Sequence, residues 1–396
     1  MAKRWEAEAC DLGFDPQSGA AIRRLTSTLM HNTNIYYEEP FGSPDGQRVA
    51  YLRSASCDPR HPPNQQLCVA NLEIGKITLV DDELECNWIA TCAWSGRVMY
   101  RRRNNELICL DIATLKKRIV LDDWPLPVEA HLWTMTPDER YLLSGLFDRE
   151  YHFNLIRVDL ENDGKCEVIF RHPDMHGHVQ VNHVTGRDVL LQHNRGIRQN
   201  QFKHRHKEPT EHAGATHLVI DIDGGNARPI NIGEPHTGQS TGHASWMADT
   251  GWIATPVHVA GVTMDNVRDM DHLLHDARHP EGNLIMAAPD QPPRAFAAPE
   301  HLFNHSSMSR CGRYFVADSF RNGVPGAIEI VIGNIETGKY RTLVSDCGAQ
   351  GGGPACSHPH PYLTADNRRV IYNADPHHVC HLHVATLPDD FLASLN

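Results

Sequence analysis

The stretch that decides the fold is Ser43–Leu52, which reads SPDGQRVAYL. Pro-Asp-Gly favours a tight turn, and the alternating apolar residues after it are typical of a half-buried strand. Two further strand-like segments follow, Gln66–Ala70 and Lys76–Val80. The stretch therefore predicts a small antiparallel sheet that begins at a turn.

The same order of turn and strands returns six more times with changed residues. The later turns begin at or near Ser95, Thr136, Thr185, Ala248, Cys311 and Thr364. Each unit is about 40 to 55 residues long, and several short strands at this period are typical of a propeller blade. We therefore predict an all-β fold, a seven-bladed β-propeller, with residues 1–396 in a single domain.

The last unit lacks one strand, which the N-terminal segment Ala21–Thr26 can supply. Such a strand would close the ring and remove the open edges of the sheets. An insertion at residues 260–279 is polar, and we predict a loop or short helix over one face there.

Composition excludes several classes of protein. The net charge of the 396 residues is −12 and no long block of Lys or Arg occurs, which argues against a nucleic-acid partner. The chain has neither an 18-residue apolar run nor an apolar signal core, so we expect no membrane span and a cytoplasmic location. The 11 scattered cysteines, without a CxxC pair, favour reduced thiols. A monomer and a homodimer are both compatible with the sequence.

Histidine is over-represented, with 27 residues. Several histidines precede a blade turn at a similar distance: His31, His131, His178, His243, His305, His358 and His360. A propeller binds ligands at one mouth of its channel, through the loops that join blades. We therefore predict a histidine-rich site at that mouth; the alternative is that some of these side chains only make hydrogen bonds between blades.

His358 and His360 flank a proline in a strand-like segment. Two residues two apart on an extended backbone point to the same face, so both imidazoles could bind one metal ion. His305, one blade earlier, could be a third ligand, and Gln350, Cys356 or water a fourth. Such a nitrogen and oxygen site suits Mn, Zn, Fe or Ni. The alternative is a His pair that only fills a polar loop.

His243, two blades before the His pair, is a candidate general base. An imidazole can remove a proton from carbon only if the resulting carbanion is stabilised, and a metal ion on an adjacent carboxylate does that. The combination suits proton abstraction α to a carboxylate.

Several segments together carry a resemblance to a known family. They are His358–Pro361, Leu363–Asn367, Val370–Tyr372, Val384–Pro388, the region from His31 to Gly46, His243–Trp246, and His305 with Ser309 and Gly312. On these residues the chain resembles the oligogalacturonate lyases. The resemblance covers most of the chain and is most specific in the run HPHP and the terminal ATLP.

The resemblance implies a seven-bladed propeller lyase that binds a divalent metal, commonly manganese, and cleaves short uronic-acid chains by β-elimination. His305, His358 and His360 match the metal ligands of the family, and His243 matches its catalytic base. The glutamine ligand of the family falls at Ala355 here, so Gln350 would have to reach the ion across an added Gly-Gly-Gly.

The resemblance also gives expectations for the substrate. A substrate-binding arginine of the family falls at Thr216, so Arg195 or Arg198 would have to replace it. By analogy with propeller lyases that act on ulvan, His178 and His193 could flank the substrate. We also expect His31 and Tyr36 to line the site, and His193, Tyr36 or water to protonate the leaving oxygen.

We therefore expect a lyase that acts on an acidic, uronate-containing oligo- or polysaccharide such as oligogalacturonate and gives a 4,5-unsaturated product. Three alternatives remain open: a lyase for another uronate glycan such as ulvan or rhamnoglucuronan, a metal-dependent hydrolase or epimerase, and a binding propeller without catalysis.

Overall fold

The computed structural model describes residues 4–55, 65–212, 214–258, 283–321, 327–351 and 357–396. Within these ranges the regular secondary structure is almost entirely β-strand, with a short 3-10 helix at Ala393–Leu395 near the end of the chain. The predicted insertion at 260–279 lies outside the described residues. No helix in the described ranges is long and apolar enough to span a membrane.

The described part of the first half of the chain contains seventeen strands. They are β1 (Glu6–Ala7), β2 (Cys10–Phe14), β3 (Ala21–Arg24), β4 (His31–Thr33), β5 (Arg48–Ser54), β6 (Gln66–Asn71), β7 (Lys76–Asp81), β8 (Leu84–Ala90), β9 (Arg97–Arg102), β10 (Leu107–Asp111), β11 (Lys116–Leu121), β12 (His131–Met135), β13 (Tyr141–Phe147), β14 (Phe153–Asp159), β15 (Lys165–His172), β16 (His176–Val181) and β17 (Asp188–Asn194).

The described part of the second half adds sixteen strands. They are β18 (Ile197–Gln199), β19 (Arg205–Lys207), β20 (Ala215–Asp221), β21 (Arg228–Ile230), β22 (Gln239–Ser240), β23 (Ser245–Trp246), β24 (Ile253–His258), β25 (Leu284–Ala287), β26 (Arg294–Phe296), β27 (His301–Met308), β28 (Tyr314–Arg321), β29 (Ile328–Asn334), β30 (Tyr340–Val344), β31 (Tyr362–Leu363), β32 (Arg369–Ala374) and β33 (His381–Thr386).

The turns that start the units are held by their own side chains. In the first, Asp45 accepts hydrogen bonds from the Ser43 hydroxyl (2.5 Å) and the Gln47 backbone N–H (3.0 Å). Gly46 has φ +69°, a conformation that glycine adopts without strain. The turns at Thr136 and Thr364 repeat the hydroxyl-to-aspartate hydrogen bond. In these three units the Ser/Thr-x-Asp pattern thus forms the turn between the first two strands of the sheet, which are β4 and β5, β12 and β13, and β31 and β32.

The strands form antiparallel sheets in the arrangement of a β-propeller. Five sheets are separate, with the strand orders β1-β7-β6-β5-β4, β11-β10-β9-β8, β12-β13-β14-β15, β27-β28-β29-β30 and β2-β3-β33-β32-β31. Strands β16 to β26, apart from the ribbon β18-β19, join into one nine-stranded sheet. Where the sequence predicted seven separate blades, the described residues form five separate blade-like sheets and one larger sheet. The larger sheet is continuous because β22 pairs with β20 on one side and β24 on the other.

The N-terminal segment pairs with the last unit, where the sequence predicted it. β3 lies beside β33, with Ala21 opposite Thr386 and Arg24 opposite His383. The strand that the last unit lacks in sequence order is thus supplied from the start of the chain.

Apolar side chains fill the spaces between neighbouring sheets. One cluster joins Ala50 and Val69 of the first sheet to Val98 of the next, and another joins Ile371 and Val384 of the last sheet back to the first. Burial of such alternating apolar faces is the main stabilising term of an all-β fold. The described cysteine thiols are free, as predicted.

The first strands of two sheets, β27 and β16, contain a register shift in their pairing with the next strand. The pairing of β27 with β28 shifts between Phe303 and Ser306, and that of β16 with β17 shifts between Gly177 and Gln180. A bulge re-aims the side chains that it contains. The two shifts contain His305 and His178.

Candidate metal and active site

Three histidines predicted to share a metal ion lie together. One donor nitrogen from each of His305, His358 and His360 lies within 4.8 Å of the others. The ring centroids of His305 are 5.1 Å from those of His358 and 4.4 Å from those of His360. The separation is short enough for one ion to reach all three nitrogens with modest side-chain movement.

Asp318 fixes the tautomer of His305. Nδ1–H of His305 donates to one carboxylate oxygen of Asp318 at 2.7 Å, and the backbone N–H of His305 donates to the other at 2.8 Å. The proton is therefore on Nδ1 and the lone pair is on Nε2, from which the Asn304 side-chain amide lies 3.2 Å away. Burial raises the pKa of Asp318 to about 7, against the effect of the donated N–H groups. A carboxylate behind a histidine is the usual second shell of a metal ligand.

The backbone of the His pair is anchored before β31. The carbonyl of His360 accepts a hydrogen bond from the Asn34 side-chain amide at 2.6 Å, and the Pro359 carbonyl accepts the N–H of Asn373 at 2.8 Å. His360 has φ +47°, which costs a residue with a Cβ about 1 kcal/mol or more. Such strain is typical of residues held for function.

His243 lies against the three histidines, with its ring 4.5 Å from that of His305. Its Nδ1–H donates to the Asn304 carbonyl at 3.1 Å, so the lone pair is on Nε2. Burial, and then the neighbouring imidazoles of His305 and His178, lower the pKa of His243 well below its usual value. A half-buried neutral imidazole with a directed lone pair can accept a proton.

His178 differs from the other histidines because it has a carboxylate partner. Its Nδ1 lies 3.0 Å from both oxygens of Glu38, which is 7% exposed. Burial alone would lower the pKa of His178, but the charge of Glu38 and the hydrogen bond raise it above its usual value. Burial raises the pKa of Glu38, and His178 opposes that shift. The His178 ring is 5.4 Å from that of His243, so a proton donor and a proton acceptor are neighbours.

Two tyrosines form one wall. The ring of Tyr36 is 5.0 Å from that of His360, and its hydroxyl is 3.5 Å from Nδ1 of His178. The Tyr37 ring stacks on His360 at 5.1 Å. Burial raises the pKa of both phenols well above the usual value, so both are neutral donors. Tyr36 thus lies beside the histidine cluster.

The site draws side chains from several units. His305 comes from β27 and His178 from β16, the first strands of their sheets. His243 and the His pair precede first strands, Asp318 lies in β28, and the run at residues 36–39 follows β4. A propeller brings its first strands together around the channel. The predicted convergence of histidines from separate units therefore holds for His178, His243, His305, His358 and His360.

Several predicted residues lie elsewhere. His193 donates to Asp174 at 2.9 Å and stacks on His176, so it is in a different cluster from His178. The two do not form the expected pair, because the register of β16 and β17 sets His193 opposite His176.

The predicted substrate arginines have other partners. Arg198 donates to Asp174 at 2.8 Å, and Arg195 donates to the Glu234 carbonyl at 2.7 Å. His31 accepts a hydrogen bond from the Cys380 backbone N–H at 3.2 Å. The backbone N–H of Gln350 donates to Asp375 at 2.6 Å. The other proposed fourth ligand, Cys356, lies outside the described residues.

Three residues of this site were missed by sequence reasoning: Glu38, Tyr37 and Asp318. A signal existed for the first two, since the run YYEE at residues 36–39 directly follows β4 and adds an acidic pair to aromatic residues. Asp318 lies in the middle of an apolar strand, where a buried acid calls for a partner.

The donor set fits a divalent transition metal. Three imidazoles, one with a carboxylate behind it, are suitable ligands for such an ion. Burial lowers the pKa of His305 and His360 well below the usual value, as the neighbouring imidazoles also do. Both are therefore neutral ligands at physiological pH.

Comparisons with known proteins bear on the fold. No protein-family model matches the sequence, and no curated protein sequence matches it. The fold is similar to that of an oligogalacturonate lyase in complex with manganese, with a TM-score of 0.70 and 18% identity over 98% of this chain and 100% of that chain. An oligogalacturonate lyase from Vibrio parahaemolyticus has a TM-score of 0.69 at 16% identity, over 99% of this chain and 100% of that chain. The β-propeller domain of the Trilobed protease from Pyrococcus furiosus has a TM-score of 0.50 at 12% identity, over 88% and 95%.

The resemblance noted in the sequence therefore extends to nearly the whole fold. The chain has the β-propeller fold of the oligogalacturonate lyases.

Proposed function

We propose that this protein is a lyase that cleaves a uronate-containing oligo- or polysaccharide by metal-assisted β-elimination. The observation that carries the proposal is the 4.5 Å between the ring of His243, a neutral base, and that of His305 in the three-histidine cluster. This reaction needs a base and a carboxylate-binding cation within the length of one sugar ring.

His305, His358 and His360 would hold the cation, which is manganese by analogy with the similar lyase, or zinc, iron or nickel on the donor set alone. When bound, a divalent cation supplies Lewis-acid stabilisation of negative charge on the C6 carboxylate and the C5 carbanion beside it. Asp318 keeps Nε2 of His305 unprotonated for that role.

His243 removes the C5 proton. Nδ1 of His243 is committed to the Asn304 carbonyl, so Nε2 is the accepting atom. The electron pair of the C5–H bond forms the C4–C5 double bond, and the C4–O bond to the leaving sugar breaks. The product is a 4,5-unsaturated uronate, with the proton left on His243.

His178 gives a proton to the leaving oxygen. Its Nδ1 faces Glu38, whose charge raises the pKa of His178, so the ring keeps a proton to donate through Nε2. Tyr36, with its hydroxyl 3.5 Å from the same ring, is the second donor within reach. This assignment replaces His193, which is bound to Asp174.

The substrate is proposed to be an acidic oligosaccharide, and the identity of its sugar is to be determined by the assay described below. Thr216, at the position of the arginine in the family, donates its hydroxyl to the Ile232 carbonyl. Arg195 and Arg198 are engaged with Glu234 and Asp174. These contacts are equally compatible with oligogalacturonate and with another uronate glycan as the substrate.

We also infer that the nine-stranded sheet counts as two blades, so that the ring has seven and is closed by β3 beside β33. Two observations support this count. An apolar cluster joins Leu190 and Val219 in one half of that sheet to Trp246 and Ile285 in the other, as between separate blades. Among the described strands, the two halves pair with each other only through the two-residue strand β22.

The test is an assay of pectic, ulvan and rhamnoglucuronan oligosaccharides, with Mn²⁺ added or with chelator. Lyase action raises the ultraviolet absorbance of the conjugated product, and hydrolysis or epimerisation does not. We expect a metal-dependent absorbance rise with one class of uronate and none after chelation.

His243→Ala should abolish that rise while the protein stays folded. The matched control is His381→Ala, a half-buried histidine that contacts Thr26; it should keep the activity. Full activity in His243→Ala would remove His243 from the base role. Tight metal binding without product from any glycan would favour the non-catalytic binding propeller.

A further inference from the structure

A second histidine cluster lies apart from the three proposed metal ligands above. It contains His172 at the end of β15, His176 at the start of β16 and His193 in β17, with one donor nitrogen from each within 4.8 Å of the others. The rings of His176 and His193 stack at 4.6 Å, and His172 is 4.8 Å from His176 and 4.9 Å from His193. We name it the 172–176–193 cluster.

His176 has a buried lone pair without a partner. Its Nδ1–H donates to the Asp174 carbonyl at 3.1 Å, so the lone pair is on Nε2. Nε2 is buried and makes no hydrogen bond within the structure, although the residue is only 1% exposed. Leaving a buried polar atom unpaired costs about 1 to 3 kcal/mol, so this atom calls for a ligand.

Asp174 fixes the tautomer of His193 by accepting a ring N–H, as Asp318 does for His305. Nε2–H of His193 donates to the Asp174 carboxylate at 2.9 Å, which leaves the lone pair on Nδ1. Asp174 also accepts from Arg198 Nε (2.8 Å) and the Gly196 N–H (3.1 Å). Burial would raise the pKa of Asp174, but these donors lower it, so the carboxylate is an anion.

The Nδ1 atom of His172 already accepts a hydrogen bond. The donor is the backbone N–H of Asp174 at 3.0 Å, so His172 can join a metal through Nδ1 only by releasing that hydrogen bond. It is therefore the weakest of the three ligands. The side chain is half-buried, which leaves the cluster open to an ion from solvent.

We propose that the 172–176–193 cluster is a second metal site, for a divalent transition ion of the Zn²⁺ type, with His176 Nε2 and His193 Nδ1 as its principal ligands. Imidazole is the ligand that Zn²⁺, Ni²⁺ and Cu²⁺ share, and carboxylate support behind a ligand is typical of such sites. The ion links the end of β15 to β16 and β17, and β16 also carries His178. Its role is to hold that strand in place.

The alternative is that the three rings only pack. His176 also lies 4.9 Å from the ring of Phe170 and 5.8 Å from that of Phe153, so it is part of an aromatic cluster. Packing explains the ring distances but not the unpaired Nε2. The experiment must therefore measure bound metal rather than stability alone.

The test counts Zn²⁺ bound per chain by elemental analysis after equilibrium dialysis. The wild-type protein should bind about two ions, and His305→Ala/His358→Ala, which removes the first site, about one. Adding His193→Gln to that double variant should abolish the remaining binding. Circular dichroism checks that each variant is folded, and lyase activity is not needed for the readout.

Two graded variants distinguish a site from a chance cluster. In the His305→Ala/His358→Ala background, Asp174→Asn should weaken Zn²⁺ binding by about 10- to 100-fold, and His172→Ala should weaken it less than His193→Gln. Absence of Zn²⁺ binding in the folded His305→Ala/His358→Ala variant overturns the proposal, as does unchanged binding after His193→Gln. The proposed lyase function fails independently, through absence of product at full metal occupancy.

Discussion

Asp318→Asn is predicted to weaken the metal affinity of the three-histidine cluster by about 10- to 100-fold without changing the shape of the site. The carboxylate oxygens of Asp318 accept Nδ1–H and the backbone N–H of His305 at 2.7 and 2.8 Å. In asparagine, Oδ1 can still accept the backbone N–H, but an NH₂ group replaces the oxygen that faced Nδ1. The imidazole then receives a hydrogen bond at Nδ1 and carries its proton on Nε2, the atom that should bind the ion.

The magnitude follows from this conflict. To bind an ion, His305 must return the proton to Nδ1, where two N–H groups face each other in a buried pair of residues 2% and 0% exposed. An unpaired buried donor costs about 1 to 3 kcal/mol. This agrees with the 10- to 100-fold loss of affinity that is typical when a partner behind a metal ligand is changed.

The assay is a titration with Mn²⁺, followed by the electron paramagnetic resonance signal of the free ion. The matched control is Glu329→Gln, which alters another buried carboxylate beside a histidine, His301, at 3.4 Å. His301 packs on Phe303 and Tyr340 and is not one of the proposed metal ligands. Changing its carboxylate neighbour should therefore leave the Mn²⁺ affinity unchanged. Wild-type affinity in folded Asp318→Asn would refute the reasoning, and equal losses in both variants would show a general effect on folding.

Two further perturbations test the charges in the structure. Glu38→Gln removes the anion that raises the pKa of His178, so the proton needed by the leaving group is lost at lower pH. The alkaline limb of the activity profile should therefore move to lower pH. Glu39→Gln, beside it in sequence and bound to Thr134, should not move that limb. Asp81 is bound to Arg102 (2.7 Å), Lys117 (2.8 Å) and Tyr100 (2.7 Å), and although burial opposes them these donors lower its pKa to about 2. Its stabilisation of about 2 kcal/mol is complete above its unfolded pKa and lost as the pH falls towards 2, so urea denaturation of wild type and Asp81→Asn should differ at pH 7 and converge in acid.

The strands were predictable because their signals are local. A turn of the Ser-Pro-Asp-Gly type followed by alternation needs only about ten residues, and the strand predicted at Arg48–Leu52 is observed at Arg48–Ser54. The number of separate sheets was not predictable in this way, since it depends on β22, a two-residue strand without an apolar pattern.

The site was predictable only where a pattern recurs. Histidines at similar places in successive units indicated that His243, His305 and His358 meet. Their acidic partners have no such pattern: Glu38 is 140 residues from His178, and Asp318 faces His305 across a strand pair. The failure for His193 has the same cause, because only the strand register shows that it faces His176.

The division between acid and bases in this site follows from burial. Desolvation disfavours a charged imidazole, and so burial keeps His243, His305 and His360 neutral. In the proposed reaction the lone pair of His243 would accept a proton, and those of His305 and His360 would bind a cation. His178 is the exception, because the negative charge of Glu38 stabilises its protonated form despite burial. Two environments thus push the pKa values of neighbouring histidines apart, which is the condition for one to donate a proton while the other accepts one at the same pH. A propeller suits this chemistry because Glu38, His178 and His305 come from different sheets, so the environment of one can be changed with little displacement of the next.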